Sequence, residues 1–244
     1  EDYNARVSYM DGGNLRNAIP RDAYAIFGVD RPSSQSFKQR FEEWATEVKA
    51  EFALTESQMQ ISLCSEPKPE RVLKLELQQN LLHALVGVAN GVISMSQAVE
   101  GLVETSTNLA SVKFGDNDEI IVTTSQRSSV ESAKLYAKKM VESTLLLAGA
   151  EVKHSDGYPG WAPNPNSQLL RHSVECYKDL FGTEPKVKAV HAGLECGLFL
   201  EKYPDLEMVS FGPTLRGVHS PEERLEIATV DKFWILLKEL LKRV

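Results

Sequence analysis

Two short stretches in the last quarter of the chain contain the residue types best suited to chemistry. Residues 191–197 read HAGLECG, and residues 212–223 read GPTLRGVHSPEE. Each follows an apolar run that predicts a strand, residues 186–190 and 206–211 respectively. Both stretches are therefore expected on loops at strand ends, where α/β proteins hold catalytic and ligand-binding groups.

The second stretch indicates a possible metal ligand, His219. Gly212, Pro213 and Gly217 bend the backbone before this histidine, and residues 220–223 (SPEE) have the pattern of a capping box with proline at the first helical position. A neutral imidazole on such a support is a suitable zinc ligand. A lone loop histidine is more often a surface residue or a hydrogen-bonding partner, so the pattern alone leaves both interpretations open.

The first stretch combines two glycines with the predicted start of a helix. Backbone N–H groups in such a loop can donate hydrogen bonds to a carboxylate or an oxyanion. A tight connection that needs glycine for packing explains the same spacing equally well. Cys196 lies near His191 in sequence, but that proximity establishes neither a base nor an electropositive setting, so a small buried thiol is expected rather than a nucleophile.

An arginine and an asparagine are further candidates for substrate binding. Arg127 follows a predicted strand at residues 119–124 and precedes a long predicted helix. A planar guanidinium can bind a carboxylate through two parallel hydrogen bonds, although an arginine in this setting is most often a solvated or ion-paired surface group. Asn17 lies in a predicted turn, where asparagine is common because it tolerates tight backbone conformations.

Five motifs, in this order, resemble those of the aminoacyl-histidine dipeptidases. This family of Xaa-His dipeptidases belongs to the co-catalytic zinc aminopeptidase and carboxypeptidase superfamily. The motifs are DGGNLRNAIPRDA at 11–23, VETSTNLASV at 103–112, GYPGWAPNPNS at 157–167, HAGLECGLF at 191–199 and GPTLRGVHSPEE at 212–223. The resemblance implies a metal-dependent hydrolase of dipeptides, in which two zinc ions hold a bridging water.

The resemblance covers the C-terminal half of that family's fold. The family's His-x-Asp motif, bridging aspartate, Glu-Glu pair and further carboxylate ligand have no counterpart in this sequence. Of the metal-binding side chains, only His219 is therefore expected in this chain, and the general base is expected outside it. This chain alone is expected to be inactive, and a non-catalytic binding or dimerisation module is the alternative hypothesis.

The resemblance also implies roles in substrate binding. Arg127 becomes the ligand for the free carboxylate of the substrate. Asn17, with Asn108 as the competing choice, helps to bind the substrate or the tetrahedral intermediate. Gly193 contributes its backbone to the substrate site, and Glu195 meets the ammonium group of the substrate.

The predicted elements form an α+β lid domain at residues 1–154, an antiparallel sheet with helices on one face. Its predicted strands are 6–13, 22–29, 58–64, 101–114 and 119–124, and its predicted helices are 34–52, 70–88 and 129–147, the last ending at Gly149.

A Gly-, Pro- and Asn-rich segment at residues 157–166 predicts a hinge or linker. Residues 155–244 are expected to form the C-terminal part of an α/β catalytic domain. Its predicted helices are 167–181, a short one after Gly193, and 230–241; its predicted strands are 186–190 and 206–211.

The composition of the chain argues against some classes of binding partner. A net charge of -7 without a basic cluster argues against nucleic acid, and no apolar run approaches the roughly 18 residues that span a membrane. Cys64, Cys176 and Cys196 are an odd number with wide spacing, which fits neither a disulfide framework nor a zinc knuckle. A soluble protein of the reducing cytoplasm is expected, and the resemblance adds a homodimer formed through the lid.

Overall fold

The structure is a computed structural model. It describes residues 3–97, 99–155, 157, 159–161, 164, 166–188, 196–218 and 220–244. The chain divides into two compact units. The first comprises residues 1–88, 109–124 and 143–151, and the second comprises residues 89–108, 125–142 and 152–244.

A five-stranded antiparallel sheet is the main β-structure of the described chain. Strand β4 is its centre, because β1 pairs with residues 111–113 of β4, β3 pairs with residues 103–107, and β5 also pairs with β4. Strand β2 pairs with β1. The strands are β1 Arg6–Gly13, β2 Ala23–Gly28, β3 Gly91–Met95, β4 Val103–Phe114 and β5 Ile120–Ser128.

Six α-helices accompany this sheet in the described residues. They are α1 Ser34–Glu51, α2 Leu75–Gly87, α3 Glu131–Leu147, α4 Gln168–Phe181, α5 Cys196–Lys202 and α6 Val230–Arg243. The prediction of an antiparallel sheet accompanied by helices is thereby confirmed. Strand β3 was not predicted, because its short sequence GVISM shows little alternation between apolar and polar residues.

The helix ends that were predicted from local sequence are confirmed by their hydrogen bonds. After α3, Gly149 lies in the left-handed region at φ +80°. Its N–H donates to the carbonyl of Leu146 at 2.9 Å, and the N–H of Ala150 donates to Leu145 at 3.1 Å. These two bonds form the Schellman motif, which satisfies carbonyls that the helix itself leaves free.

A buried glutamine fixes helix α2 to strand β1 in the first unit. Gln78 accepts a hydrogen bond from the N–H of Val7 at 2.8 Å and donates one to the carbonyl of Ala5 at 2.9 Å. A buried side-chain amide is stable only when its polar atoms find partners. Both polar atoms of the Gln78 amide find backbone partners here, at the start of β1 and at the residue just before it.

Two predictions in the first unit are wrong in detail. Residues 58–64 form no strand in the described structure, although Met59, Ile61 and Leu63 are half-buried between exposed neighbours. The alternation predicts which side chains turn inward. A strand also needs backbone hydrogen bonds to a neighbouring strand, and no described strand pairs with these residues. The helix predicted at residues 70–88 begins only at Leu75, because the N–H of Leu73 donates to the carbonyl of Val7 at 2.8 Å and the backbone is extended there.

The second unit departs from prediction at its strands. Residues 206–211 and the described residues 186–188 form no strand, because no described strand pairs with them. Residues 220–223 form a turn instead of a helix start. The hydroxyl of Ser220 donates to the carbonyl of Gly217 at 2.7 Å, and the N–H of Glu223 donates to the carbonyl of Ser220 at 3.0 Å.

The core of the C-terminal region lies between helices α4 and α6. Cys176, Leu236 and Leu240 are buried there, and Tyr177 and Phe181 pack against them. Burial raises the pKa of the Cys176 thiol, which keeps it protonated. Helix α4 begins next to the predicted start at residue 167, where Ser167 is the N-cap and its hydroxyl accepts from the N–H of Leu170 at 3.1 Å.

Candidate functional site

The end of strand β5 is joined to strand β4 by polar side chains. The amide nitrogen of Gln126 donates to the hydroxyl of Thr107 at 3.0 Å, and the hydroxyls of Ser128 and Thr105 are 2.9 Å apart. Thr105 and Ser128 are buried. The two contacts have the same register, so residues 126 and 128 lie on one face of the sheet together with residues 105 and 107.

Arg127 lies between these two anchored residues and projects from the opposite face, because successive side chains in a strand alternate. The same register places Arg127 opposite Ser106, and Asn108 opposite Ser125. Arg127 and Asn108 are therefore diagonal neighbours on one face, a relation in which Cα atoms are about 7–8 Å apart. The structure thus brings together two of the residues predicted to bind substrate.

Arg127 is a half-buried residue and has no ion-pair partner or side-chain hydrogen bond among the described residues. Its planar fork of N–H donors matches a carboxylate, which accepts two parallel hydrogen bonds. The arrangement can therefore bind an anionic group brought by a ligand.

The backbone next to Arg127 is held on several sides. The N–H of Ser129 donates to the carbonyl of Glu104 at 3.3 Å, and the hydroxyl of Ser128 accepts from the N–H of Val130 at 3.0 Å. The first contact ties the strand end to β4, and the second satisfies an N–H just before helix α3. Sequence reasoning missed these anchors, whose only signal is the recurrence of threonine, serine and glutamine at alternate positions.

Asn17 occupies the third position of a β-turn in the first unit. The N–H of Ala18 donates to the carbonyl of Leu15 at 3.1 Å, and Asn17 is exposed. Its φ is not positive, so a left-handed backbone does not explain why asparagine stands here. Arg127 belongs to the second unit, and the joint action of these two residues stays a prediction.

Three predicted site residues, Gly193, Glu195 and His219, lie outside the described residues. Within the described part of the chain, no group of three or more His, Cys, Asp and Glu side chains is arranged to hold a metal ion. Cys196, the first residue of α5, is half-buried rather than buried. The metal-binding and substrate-binding roles of the three residues stay predictions.

A small hairpin frames the stretch that contains residue 219. Strands β6 (Leu215–Arg216) and β7 (Arg224–Leu225) pair antiparallel. The predicted bend at Gly217 is confirmed by a φ of +60°. The hairpin was not predicted, because its two-residue strands are too short to show a period.

None of the helices in the described residues combines the length with the apolar character that a membrane crossing requires.

Known proteins match the whole length of this chain. The model of peptidase family M20/M25/M40 matches residues 11–243. A cytosol non-specific dipeptidase from Escherichia coli (strain K12) is 37% identical over 244 residues, which is 100% of this chain and 50% of that protein. The crystal structure of an aminoacylhistidine dipeptidase from Vibrio alginolyticus matches with a TM-score of 0.80 and 34% identity, covering 100% of this chain and 49% of that one.

The chain spans about half the length of both relatives. The family match begins at the first of the five motifs and continues past the last. The relationship to the dipeptidases that those motifs indicate is therefore confirmed. By sequence and by fold, this chain belongs to peptidase family M20/M25/M40.

Proposed function

We propose that the protein, in its full encoded length, is a metal-dependent dipeptidase that hydrolyses aminoacyl-histidine dipeptides. Membership of the peptidase family and the two dipeptidase relatives support the reaction class. The relative of known structure is an aminoacylhistidine dipeptidase, which supports the substrate class. The cytosol relative supports a cytoplasmic location.

The half-buried Arg127, without an acidic partner among the described residues, is the observation that carries this proposal. A dipeptidase must recognise the free carboxylate of its substrate, which lies one residue beyond the scissile bond. A guanidinium on a strand whose neighbouring residues are anchored supplies that recognition with little loss of side-chain freedom. We assign Arg127 as the ligand of the substrate carboxylate.

Four other residues complete the proposed substrate site. Asn108, a diagonal neighbour of Arg127, donates a hydrogen bond to the substrate or to the oxyanion, and Asn17 is the other candidate for this role. Gly193 offers a backbone N–H, and Glu195 binds the ammonium group of the substrate. Each role follows from the family resemblance, and the sheet geometry supports Asn108 in particular.

His219 is the proposed metal ligand of this chain, and two zinc ions are the proposed cofactor. One imidazole cannot hold zinc in a site of three or four ligands, and the described residues form no metal site. The remaining ligands and the general base are proposed to lie in the part of the fold that the relatives have beyond the matched region. A bound zinc ion supplies a water of lowered pKa.

Exposed apolar side chains on helix α6 support the proposal that residues 155–244 are part of a larger catalytic domain. Val230, Trp234 and Leu241 follow helical spacing and are 37%, 53% and 69% exposed. A stripe of this kind is usually covered by another element of the fold. Residues 1–154 are proposed to be the lid, through which two copies of the protein pair.

Hydrolysis of a dipeptide panel by the full-length protein tests the proposal. We expect turnover of Xaa-His dipeptides that is lost with a chelator and restored by zinc. Arg127→Ala is expected to lower kcat/KM for a free dipeptide roughly 100-fold, equivalent to about 3 kcal/mol for two charge-assisted hydrogen bonds. The same variant should change turnover of the C-terminal dipeptide amide much less, because the amide has no carboxylate to lose.

Arg71→Ala is the matched control. Arg71 is also an arginine, but its side chain is 80% exposed and pairs with Asp118 at 3.1 Å, so both substrates should be turned over at the wild-type rate. The carboxylate role is wrong if Arg127→Ala slows the dipeptide and its amide equally. Dimerisation without any turnover in the metal-loaded full-length protein would favour the non-catalytic module instead.

A further inference from the structure

Three segments of the second unit meet at two glycines. A Cβ atom on Gly160 would lie 2.6 Å from the carbonyl oxygen of Ser128 and 2.8 Å from the Cα of Ser129. A Cβ atom on Gly197 would collide with the carbonyl oxygen of Pro159. Neither glycine has a positive φ, so both positions need glycine for space and not for backbone conformation.

These contacts place the Pro159–Gly160 backbone between two parts of the candidate site. On one side it touches Ser128 and Ser129, which directly follow Arg127 in sequence. On the other side it touches Gly197, in the first turn of α5 and at the end of the HAGLECG motif. Residues 157–166 were predicted to be a hinge or linker, but residues 159 and 160 are closely packed.

The backbone of Ser128 and Ser129, at the end of β5, is held in place and cannot easily move away from Gly160. Ser128 is buried and bonded to Thr105 at 2.9 Å, and Ser129 is bonded to the carbonyl of Glu104. Ordinary contacts to a Cβ atom begin at 3.4 Å, so a methyl group on Gly160 requires a displacement of roughly 1 Å. Interiors are packed too densely to absorb such a shift without moving a neighbour.

We propose that the Pro159–Gly160 segment is a positioning element that sets the place of Arg127 relative to the first turn of α5. The inference rests on the proposed function, because it assigns the segment to carboxylate recognition by Arg127. Gly160 and Pro159 act through the backbone of Ser128 and Ser129 and do not themselves touch the substrate. A displacement of about 1 Å in such a support can lower the rate as much as 100-fold.

The test uses Gly160→Ala in the full-length protein. The quantity measured is the ratio of kcat/KM for an Xaa-His dipeptide to kcat/KM for its C-terminal amide. We expect this ratio to fall tenfold or more, because a displaced Arg127 loses the carboxylate while the rest of the site still binds both substrates. A variant that only lowers the folded fraction slows both substrates equally and leaves the ratio unchanged, which would overturn the inference.

Gly157→Ala and Gly28→Ala are matched controls. A Cβ atom at either position would have no atom of the described residues within 4 Å, and neither residue has a positive φ. Both variants should keep the wild-type ratio. A fall in the ratio as large as that of Gly160→Ala would show that any added methyl group has this effect, and would overturn the inference.

A second variant covers the case in which Gly160→Ala does not fold. Pro159→Gly adds no atoms but removes the restriction that the proline ring places on φ, so it loosens the segment without a collision. We expect a smaller fall in the same ratio. A wild-type ratio in Pro159→Gly, beside a Gly160→Ala variant that does not fold, would show that the segment is only structural.

The Arg127→Ala variant distinguishes a failure of this inference from a failure of the proposed function. If Arg127→Ala leaves the ratio unchanged, carboxylate recognition by Arg127 is wrong and the positioning role falls with it. If Arg127→Ala lowers the ratio and neither Gly160→Ala nor Pro159→Gly does, the proposed function stands and only the positioning role is wrong.

Discussion

The β4–β5 pair and the α4–α6 pair each contain an arginine, and the fold treats the two differently. Arg243 on α6 donates to Asp179 at 2.7 Å and to Glu239 at 3.2 Å. Arg127 on β5 has no acidic partner among the described residues, although the residues on both sides of it are anchored. The first arginine is neutralised by the protein, whereas the second is available to a ligand.

The two regions also differ in what stabilises them. The α4–α6 pair is held by buried apolar side chains, with ion pairs at its exposed rim that contribute little. The β4–β5 pair is held near Arg127 by hydrogen bonds between polar side chains, Thr105 with Ser128 and Gln126 with Thr107. The comparison supports the proposal that Arg127 binds a ligand, because its neighbours are anchored and its charge has no acidic partner among the described residues.

Removing apolar volume from the α4–α6 core should have the largest effect on stability. Leu240 is 5% exposed, and Leu240→Ala should lower the free energy of unfolding by about 2–5 kcal/mol. Ile235→Ala is the matched control, because Ile235 is 44% exposed and lies outside the apolar stripe formed by Val230, Trp234 and Leu241. Denaturant titration measures both, and equal losses would contradict the assignment of the core to one face of α6.

Removing the hydroxyl of Thr105, which joins β4 to β5, should have a smaller effect on stability. It should also weaken the binding of a free dipeptide more than the binding of its amide. Thr105→Val keeps the shape of a 1% exposed side chain and removes its bond to Ser128, at a cost of about 1 kcal/mol. KM for a free dipeptide should rise more than KM for its amide, because the strand end that carries Arg127 is loosened. Steady-state kinetics at matched folded fraction measures this difference.

Thr46→Val provides the control for that prediction. Thr46 lies on the exposed surface of α1 and donates to the carbonyl of Glu42 within the same helix. It should change neither KM. If Thr105→Val raises KM equally for the dipeptide and its amide, the Thr105–Ser128 hydrogen bond does not specifically support carboxylate recognition by Arg127.

The smallest expected effect is a pH dependence at the start of α4. Hydrogen bonds from the N–H groups of Leu169 and Gln168 lower the pKa of Glu207. A carboxyl with a lowered pKa stabilises the folded state at neutral pH, and this contribution is lost as the pH falls through the lowered value. Glu207→Gln should therefore lower the melting temperature at pH 7, and the difference from wild type should shrink on acidification.

Thermal melts across the acidic range provide the measurement. Glu201→Gln, at an exposed glutamate on α5, is the control and should change the melting temperature little at any pH. A difference between wild type and Glu207→Gln that stays constant with pH would show that the carboxylate charge does not contribute to the cap.

Elements with local causes were predictable from the sequence. The end of α3 at Gly149 and the start of α4 at Ser167 depend on hydrogen bonds within a few residues, so their patterns are complete in a short window. The alternation at Met59, Ile61 and Leu63 predicts which side chains turn inward, but the ladder that would make a strand needs a distant partner. Strand formation at residues 206–211 fails for the same reason.

The candidate site was predictable in residue type but not in arrangement. A guanidinium suited to a carboxylate, an asparagine and a glycine-rich loop were all evident from the residues or from the family's motifs. That Arg127 and Asn108 share a face depends on the register between β4 and β5, which is set by contacts such as Thr105–Ser128. The need for glycine at residues 160 and 197 depends on segments far apart in the chain.

The sequence by itself therefore determined the family, the local helix ends and the chemical types available for binding, because these depend on residue identity and on neighbours along the chain. The tertiary structure alone decided which arginine has an acidic partner among the described residues, and which glycines exclude a side chain for lack of space. These properties arise from contacts between distant segments, and no local pattern of residues encodes the distance between two such segments.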